Sequence, residues 1–287
     1  MIRNIFVPIS GTDGDNRILE TAWAIATAFQ AHLEFLHIKI TSGPAALQTR
    51  HTDFARGAAL SNALAEFKFE ANKRSAAARD KIDQFCKSMH ITTTDAPTGR
   101  PGPTASFAEE IDTALERLAV RARHSDLIVF GRPKHINRLP AHLLEHLLVE
   151  SGRPFLIPAD QSIAGFPNTI MICWRESPDA ARAAGAALPL LRKANRVIVA
   201  AVCENGCAAP AQDFAYSLGW HGIAADLVTI PAGSRAVHEV LADVAQKCQA
   251  DLLVMGAYGH SRTRELIFGG CTQSMIETAT IPIFMLH

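Results

Sequence analysis

An internal duplication constrains this chain more than any other feature. Asp126-Leu127-Ile128-Val129-Phe130-Gly131 returns 125 residues later as Asp251-Leu252-Leu253-Val254-Met255-Gly256. Each copy is followed by a helical stretch and then a proline-led apolar run, Pro154-Phe155-Leu156-Ile157 or Pro282-Ile283-Phe284-Met285. Upstream, Asn4-Ile5-Phe6-Val7-Pro8-Ile9 corresponds to Thr169-Ile170-Met171-Ile172-Cys173-Trp174. The chain therefore reads as two copies of one unit, residues 1–160 and 168–287, with Gly165 and Pro167 in the linker between them. The first copy is about 40 residues longer, and its extra length lies at 41–89.

Both copies alternate short apolar runs with helical patterns. In the second, strands are expected at Thr169–Cys173, Arg196–Ala201, Ile223–Thr229, Asp251–Gly256 and Ile281–Leu286. These are apolar on successive positions, as strands buried on both faces of a parallel sheet are. Helices fit between them at Pro178–Lys193, Ala208–Trp220, Ser234–Gln249 and Glu265–Ala279, the first with Ser177 as its N-cap. The first copy repeats the strands at Asn4–Ile9, Leu33–Ile40, Ile91–Ala96, Asp126–Gly131 and Pro154–Pro158, with a long polar helix over about 55–87. The alternation predicts an α/β chain of two doubly wound parallel sheets with right-handed crossovers. With 48% apolar residues and only 7% aromatics, the composition suits helices packed on sheets.

The second copy carries Gly256-Ala257-Tyr258-Gly259, nine further residues, then Gly269-Gly270. This G-x2-G-x9-G pattern after an aspartate-led strand, with Thr280-Ile281-Pro282-Ile283 beyond it, resembles the universal stress protein family. The resemblance extends over the whole chain as a tandem two-domain member. It implies the adenine-nucleotide alpha-hydrolase-like fold, five strands per domain in the order 3-2-1-4-5, and pairing of the domains through their last strands as an intrachain pseudo-dimer. It also implies ATP, accompanied by Mg2+, as the ligand. Glycines let backbone N–H groups approach an anion, and the following helix adds free N–H groups and a positive dipole end. The candidate nucleotide residues are Gly256, Gly259, His260, Ser261, Arg262, Gly269, Gly270, Cys271, Thr272 and Arg175. The same glycines also fit a bare strand-to-helix turn.

The pattern is not kept throughout. The family places Ser or Thr after the third glycine, where this chain has Gly270, with Cys271 and Thr272 beyond. It commonly ends its first strand in an aspartate followed by Gly-Ser, and its nucleotide-binding members use that aspartate near the adenine. The matching residues here are Arg175-Glu176-Ser177 and, in the first copy, Ser10-Gly11-Thr12. After Gly131 the first copy has Arg132-Pro133-Lys134-His135 and no paired glycines. Its loop is degenerate, and Arg132, Lys134 and Arg138 are its remaining anion-attracting residues.

Other features read as structural. Asp13-Gly14-Asp15-Asn16 lacks the spacing of a calcium loop and suits a helix N-cap. His142 and His146 share a helix face without a third ligand. Cys203 and Cys207 read as two unrelated thiols, among six cysteines without a disulfide framework. No GxSxG elbow or P-loop lysine motif is present, and His238, Glu239 and Asp243 have no nucleophile tied to them, so a dedicated enzyme is not expected, with slow ATP hydrolysis as the upper bound. Lys and Arg equal Asp and Glu at 28 each, and the balance holds in each copy, so no basic field for nucleic acid is expected. Without a signal peptide or an 18-residue apolar run, the expected home is the cytoplasm, with no membrane partner. The expected role is a stress-response binding or regulatory module. The alternatives are a nucleotide-free interaction scaffold and a weak ATPase, and a homo-oligomer is open.

Overall fold

The computed structural model describes residues 1–41, 57–97, 102–132, 139, 142–159, 165–203, 208–231, 233–257 and 270–287. The first copy contributes β1 (Asn4–Ile9), α1 (Asp15–Phe29), β2 (His32–Lys39), α2 (Gly57–Ser88), β3 (Thr92–Thr93), β4 (Thr104–Ile111), α3 (Leu115–Ala122), β5 (Leu127–Val129), α4 (Leu143–Glu150) and β6 (Phe155–Ile157). The second contributes β7 (Thr169–Trp174), α5 (Pro178–Leu191), β8 (Arg196–Cys203), α6 (Ala208–Ser217), β9 (Ala225–Pro231), α7 (Val237–Lys247), β10 (Leu252–Gly256), α8 (Gly270–Thr278) and β11 (Ile283–Leu286). A 3-10 turn, Leu218–His221, extends α6.

The described strands form one sheet in the order β3-β4-β2-β1-β5-β6-β11-β10-β7-β8-β9. Every pairing is parallel except that of β6 with β11, where Leu156 faces Phe284 across an antiparallel ladder. The two sheets thus become one through their last strands. Central strands such as β1, β7 and β10 are buried along nearly their whole length, as continuous apolar runs require. Helices cover them with apolar stripes. In α1 the stripe is Ile18, Leu19, Ala22, Ile25, Ala26 and Phe29; in α5 it is mostly alanine. Ser177 caps α5, accepting from the Ala180 N–H at 3.2 Å.

The repeated aspartates explain themselves in this sheet. Asp126 Oδ2 accepts from the Arg3 and Asn4 N–H groups at 2.7 and 3.0 Å. Asp251 Oδ2 accepts from those of Asn168 and Thr169, both at 2.9 Å. Each clamps the start of the neighbouring strand, a structural task that both copies share.

The first copy departs from five strands. The expected strand at Ile91–Ala96 shrinks to the two-residue β3, and β4 takes the place beside β2. Its sequence, Thr104-Ala105-Ser106-Phe107-Ala108-Glu109-Glu110-Ile111, is only half-buried, so it shows no apolar run. Charged partners meet its polar side chains instead. Arg121 of α3 donates to Glu110 and to Glu34 of β2, both at 2.7 Å. Among the described residues, no helix is long and apolar enough to cross a membrane.

Candidate functional site

In the second copy the chain runs from β7 outward to β8 and β9, then crosses back to β10 on the other flank of β7. The carboxyl ends of β7 and β10 therefore flank a topological switch point, where sheets of this type take ligands. Ile172 pairs with Val254, and Trp174 and Gly256 each lie two residues beyond that pair. Gly256 touches the first turn of α5. A Cβ there would lie 2.6 Å from the Asp179 carbonyl carbon and 2.7 Å from the Ala180 nitrogen. Close helix packing alone therefore demands this glycine, with no ligand required.

Gly270, at the N-terminal end of α8, is exposed and has open space around its Cα. Thr272 is buried one step inside the helix. Arg175 and Glu176 are exposed. Burial raises the Cys271 thiol pKa, and the Arg175 guanidinium opposes that shift, so the end of β7 and the first turn of α8 adjoin. Cys173 is pushed up to about 12 by burial and then by Cys271. Neither thiol is a nucleophile at neutral pH. The fold thus gathers Arg175, Gly256, Gly270, Cys271 and Thr272 at one edge; Gly259, His260, Ser261, Arg262 and Gly269 lie outside the described residues.

One further residue at this edge was not singled out from the sequence. Trp174, 9% exposed, stacks on Phe214 of α6 with ring centroids 3.5 Å apart and planes 3° from parallel. Among the described residues, its Nε1 is buried without a hydrogen-bond partner. An unmet buried donor costs about 1–3 kcal/mol. The available sequence signal was a tryptophan where the first copy has Ile9 at the end of the equivalent strand.

The corresponding edge of the first copy is filled from within. Asp15 does not cap α1 with its side chain as expected; its carboxylate reaches back into the loop after β1. It accepts from the N–H groups of Ser10, Gly11 and Thr12 at 3.0, 2.7 and 3.1 Å, and from Ser10 Oγ at 2.9 Å. The long helix α2 lies across that loop. Gly11, at φ +79°, leaves no room for a Cβ, which would sit 2.7 Å from the Arg74 carbonyl oxygen. Lys81 Nζ donates to the Thr12 carbonyl at 2.6 Å and to Asn16 Oδ1 at 3.2 Å. Beneath lies His37, whose Nδ1 meets the Ile9 carbonyl at 3.2 Å. Burial holds its pKa below the ordinary histidine value, against the pull of that carbonyl and of Glu109 and Asp15.

Arg132, expected as an anion-attracting residue, is committed elsewhere. It is 1% exposed and donates to the Pro158 carbonyl at 2.9 Å and to the Ala279 carbonyl at the C-terminal end of α8. A cation there complements the helix dipole and ties the first copy to the second. Lys134 and Arg138 lie outside the described residues. No group of three His, Cys, Asp or Glu side chains among the described residues is arranged to hold a metal. Cys203, read from sequence as an unrelated thiol, is disulfide-bonded.

The universal stress protein family model matches residues 226–287, from β9 through β11. The whole chain resembles a universal stress protein from Archaeoglobus fulgidus, at 14% identity and TM-score 0.71, over 99% of this chain and 95% of that one. A universal stress protein from Pseudomonas aeruginosa is similar at 16% identity and TM-score 0.55, over 99% and 93%. No curated protein matches the sequence.

Proposed function

We propose that this chain, whose residues 226–287 match the universal stress protein family model and whose fold along its length is that of a universal stress protein, is a tandem member of that family, a binding and regulatory module with one adenine-nucleotide site. The division is residues 1–160 as a structural partner and 168–287 as the ligand-binding copy. The observation that carries this reading is the contrast at the two switch points. In the first copy Asp15 and α2 occupy the edge; among the described residues of the second, no carboxylate or inserted helix does so. There Gly270 offers backbone N–H groups at a helix N-terminus, with the Arg175 cation nearby. Such a corner suits the phosphates of ATP, with Mg2+ held mainly by phosphate oxygens and water. The role is non-catalytic and cytoplasmic, with slow hydrolysis as the most the site performs. Calorimetry of the full chain with ATP and ADP tests it: binding heat is expected, and its absence at millimolar nucleotide from a folded protein overturns it.

One observation favours a second reading, a nucleotide-free interaction scaffold. Gly256 is fully accounted for by its contact with α5. Mass spectrometry of the denatured purified protein separates the two, since co-purified nucleotide supports the first.

A further inference from the structure

We propose that the inserted helix α2 is the surface through which two copies of this chain associate, crossing antiparallel at Phe69. The helix runs from Gly57 to Ser88 and has two unlike faces. Ala71, Ala78, Ile82 and Cys86 form one stripe and are buried. Leu64 and Phe67 continue that stripe toward the N-terminal end and are half-buried. Phe69 stands two residues from Phe67 and two from Ala71, so it lies on the opposite face. It is 66% exposed. Among the described aromatics of the first copy, none other is exposed. Packing within the chain therefore does not account for Phe69, and a large apolar ring held in water calls for a partner.

The charges beside it say which partner. Glu66 lies one turn before Phe69 and Lys73 one turn after, on the same face, and both are exposed. Within one helix they stand two turns, about 10 Å, apart, too far to pair. An antiparallel second α2 closes that gap. Its Lys73 comes opposite Glu66 and its Glu66 opposite Lys73, with the two Phe69 rings between them. A twofold axis makes the same pair twice, as a contact between identical surfaces requires. A parallel copy would set Glu66 on Glu66 and Lys73 on Lys73. Ala65 and Ala76 flank the face, both exposed, and their small side chains let two helices approach closely. An aromatic at the centre with charges at the rim is how such contacts are built. The face is complementary to itself, so the occupant it specifies is a second copy of this chain.

Sedimentation velocity of the full chain, from micromolar to millimolar concentration, reads the contact. A reversible dimer is expected for the wild type. Phe69→Asp places two carboxylates at the axis, and that variant is expected to stay monomeric throughout. Glu66→Lys and Lys73→Glu each set like charges together twice, and each should weaken the dimer about tenfold. The double variant Glu66→Lys, Lys73→Glu restores opposite charges and should recover most of that loss. A variant that had merely failed to fold would show no such recovery. A wild-type chain that remains monomeric overturns the inference. So does a dimer that Phe69→Asp leaves intact, which would place the contact elsewhere on the chain. A double variant no tighter than either single one overturns the antiparallel crossing.

Discussion

The same junction, strand end to helix start, is finished in opposite ways in the two copies. After β1, Ser10 is buried and three successive backbone N–H groups close on the Asp15 carboxylate. After β7, Arg175 and Glu176 face solvent, and Ser177 spends its side chain on the helix cap. The first copy has supplied its own anion and laid α2 over it; among the described residues of the second, no carboxylate is seen to play that part. The difference teaches that two copies of one scaffold need not finish the same edge alike. The inserted helix that lengthens one copy also packs over the loop after its first strand.

The largest effect is expected at the seam between the copies. Arg132→Ala leaves the Pro158 and Ala279 carbonyls without their donor and opens space in a fully buried position. A cost of about 4 kcal/mol follows from two charged hydrogen bonds and lost packing. Denaturant unfolding followed by probes in each copy should show the transitions separating if this link couples them. A single coincident transition at wild-type midpoint would break the idea that Arg132 joins the copies.

Next comes the filled edge. Asp15→Ala removes the acceptor for three buried or half-buried N–H groups, and about 3 kcal/mol should be lost. Hydrogen exchange should quicken at Ser10–Thr12. If stability is unchanged, the carboxylate is not what closes the first copy. Gly256→Ala tests the other edge. The added methyl meets backbone atoms of α5 at 2.6–2.7 Å, and about 2 kcal/mol of overpacking is expected. A variant as stable as wild type would mean that α5 yields and that packing does not demand Gly256.

How much of this was legible in the sequence follows from what each residue answers to. The repeat was readable because Asp126 and Asp251 meet backbone groups of their own neighbouring strand, a task fixed by the unit itself. The apolar strands were readable because both of their faces are buried. β4 was not, because its half-buried face alternates with charges met by Arg121 and Lys39, residues distant in sequence. The glycine pattern singled out the strand-to-helix edge of the second copy, but it could not show that Gly256 answers to α5. Arg132 was misread because a basic loop describes what a residue is, while its place comes from the Pro158 and Ala279 carbonyls, contacts that only the folded chain makes.

The smallest effect is a pH dependence that separates the copies. His32 and His37, both on β2, have pKa values lowered first by burial. His32 sits between the Thr104 and Ser106 hydroxyls, at 2.8 and 3.0 Å, with Glu34 pulling its pKa the other way. His37 faces the Ile9 carbonyl, Glu109 and Asp15, with Arg74 reinforcing the shift. A lowered histidine pKa means that the unfolded chain binds protons before the folded one does. Stability is then fully present above the ordinary value of about 6.5 and falls as pH drops below it toward the lowered values. Denaturant midpoints taken from pH 7.5 to 5 should decline on the acid side, by less than any substitution above costs. The double variant His32→Gln, His37→Gln should flatten that decline, while amide exchange in β7 and β10 should change least. A decline of equal slope in the variant would place the acid sensitivity outside β2 and remove this distinction between the copies.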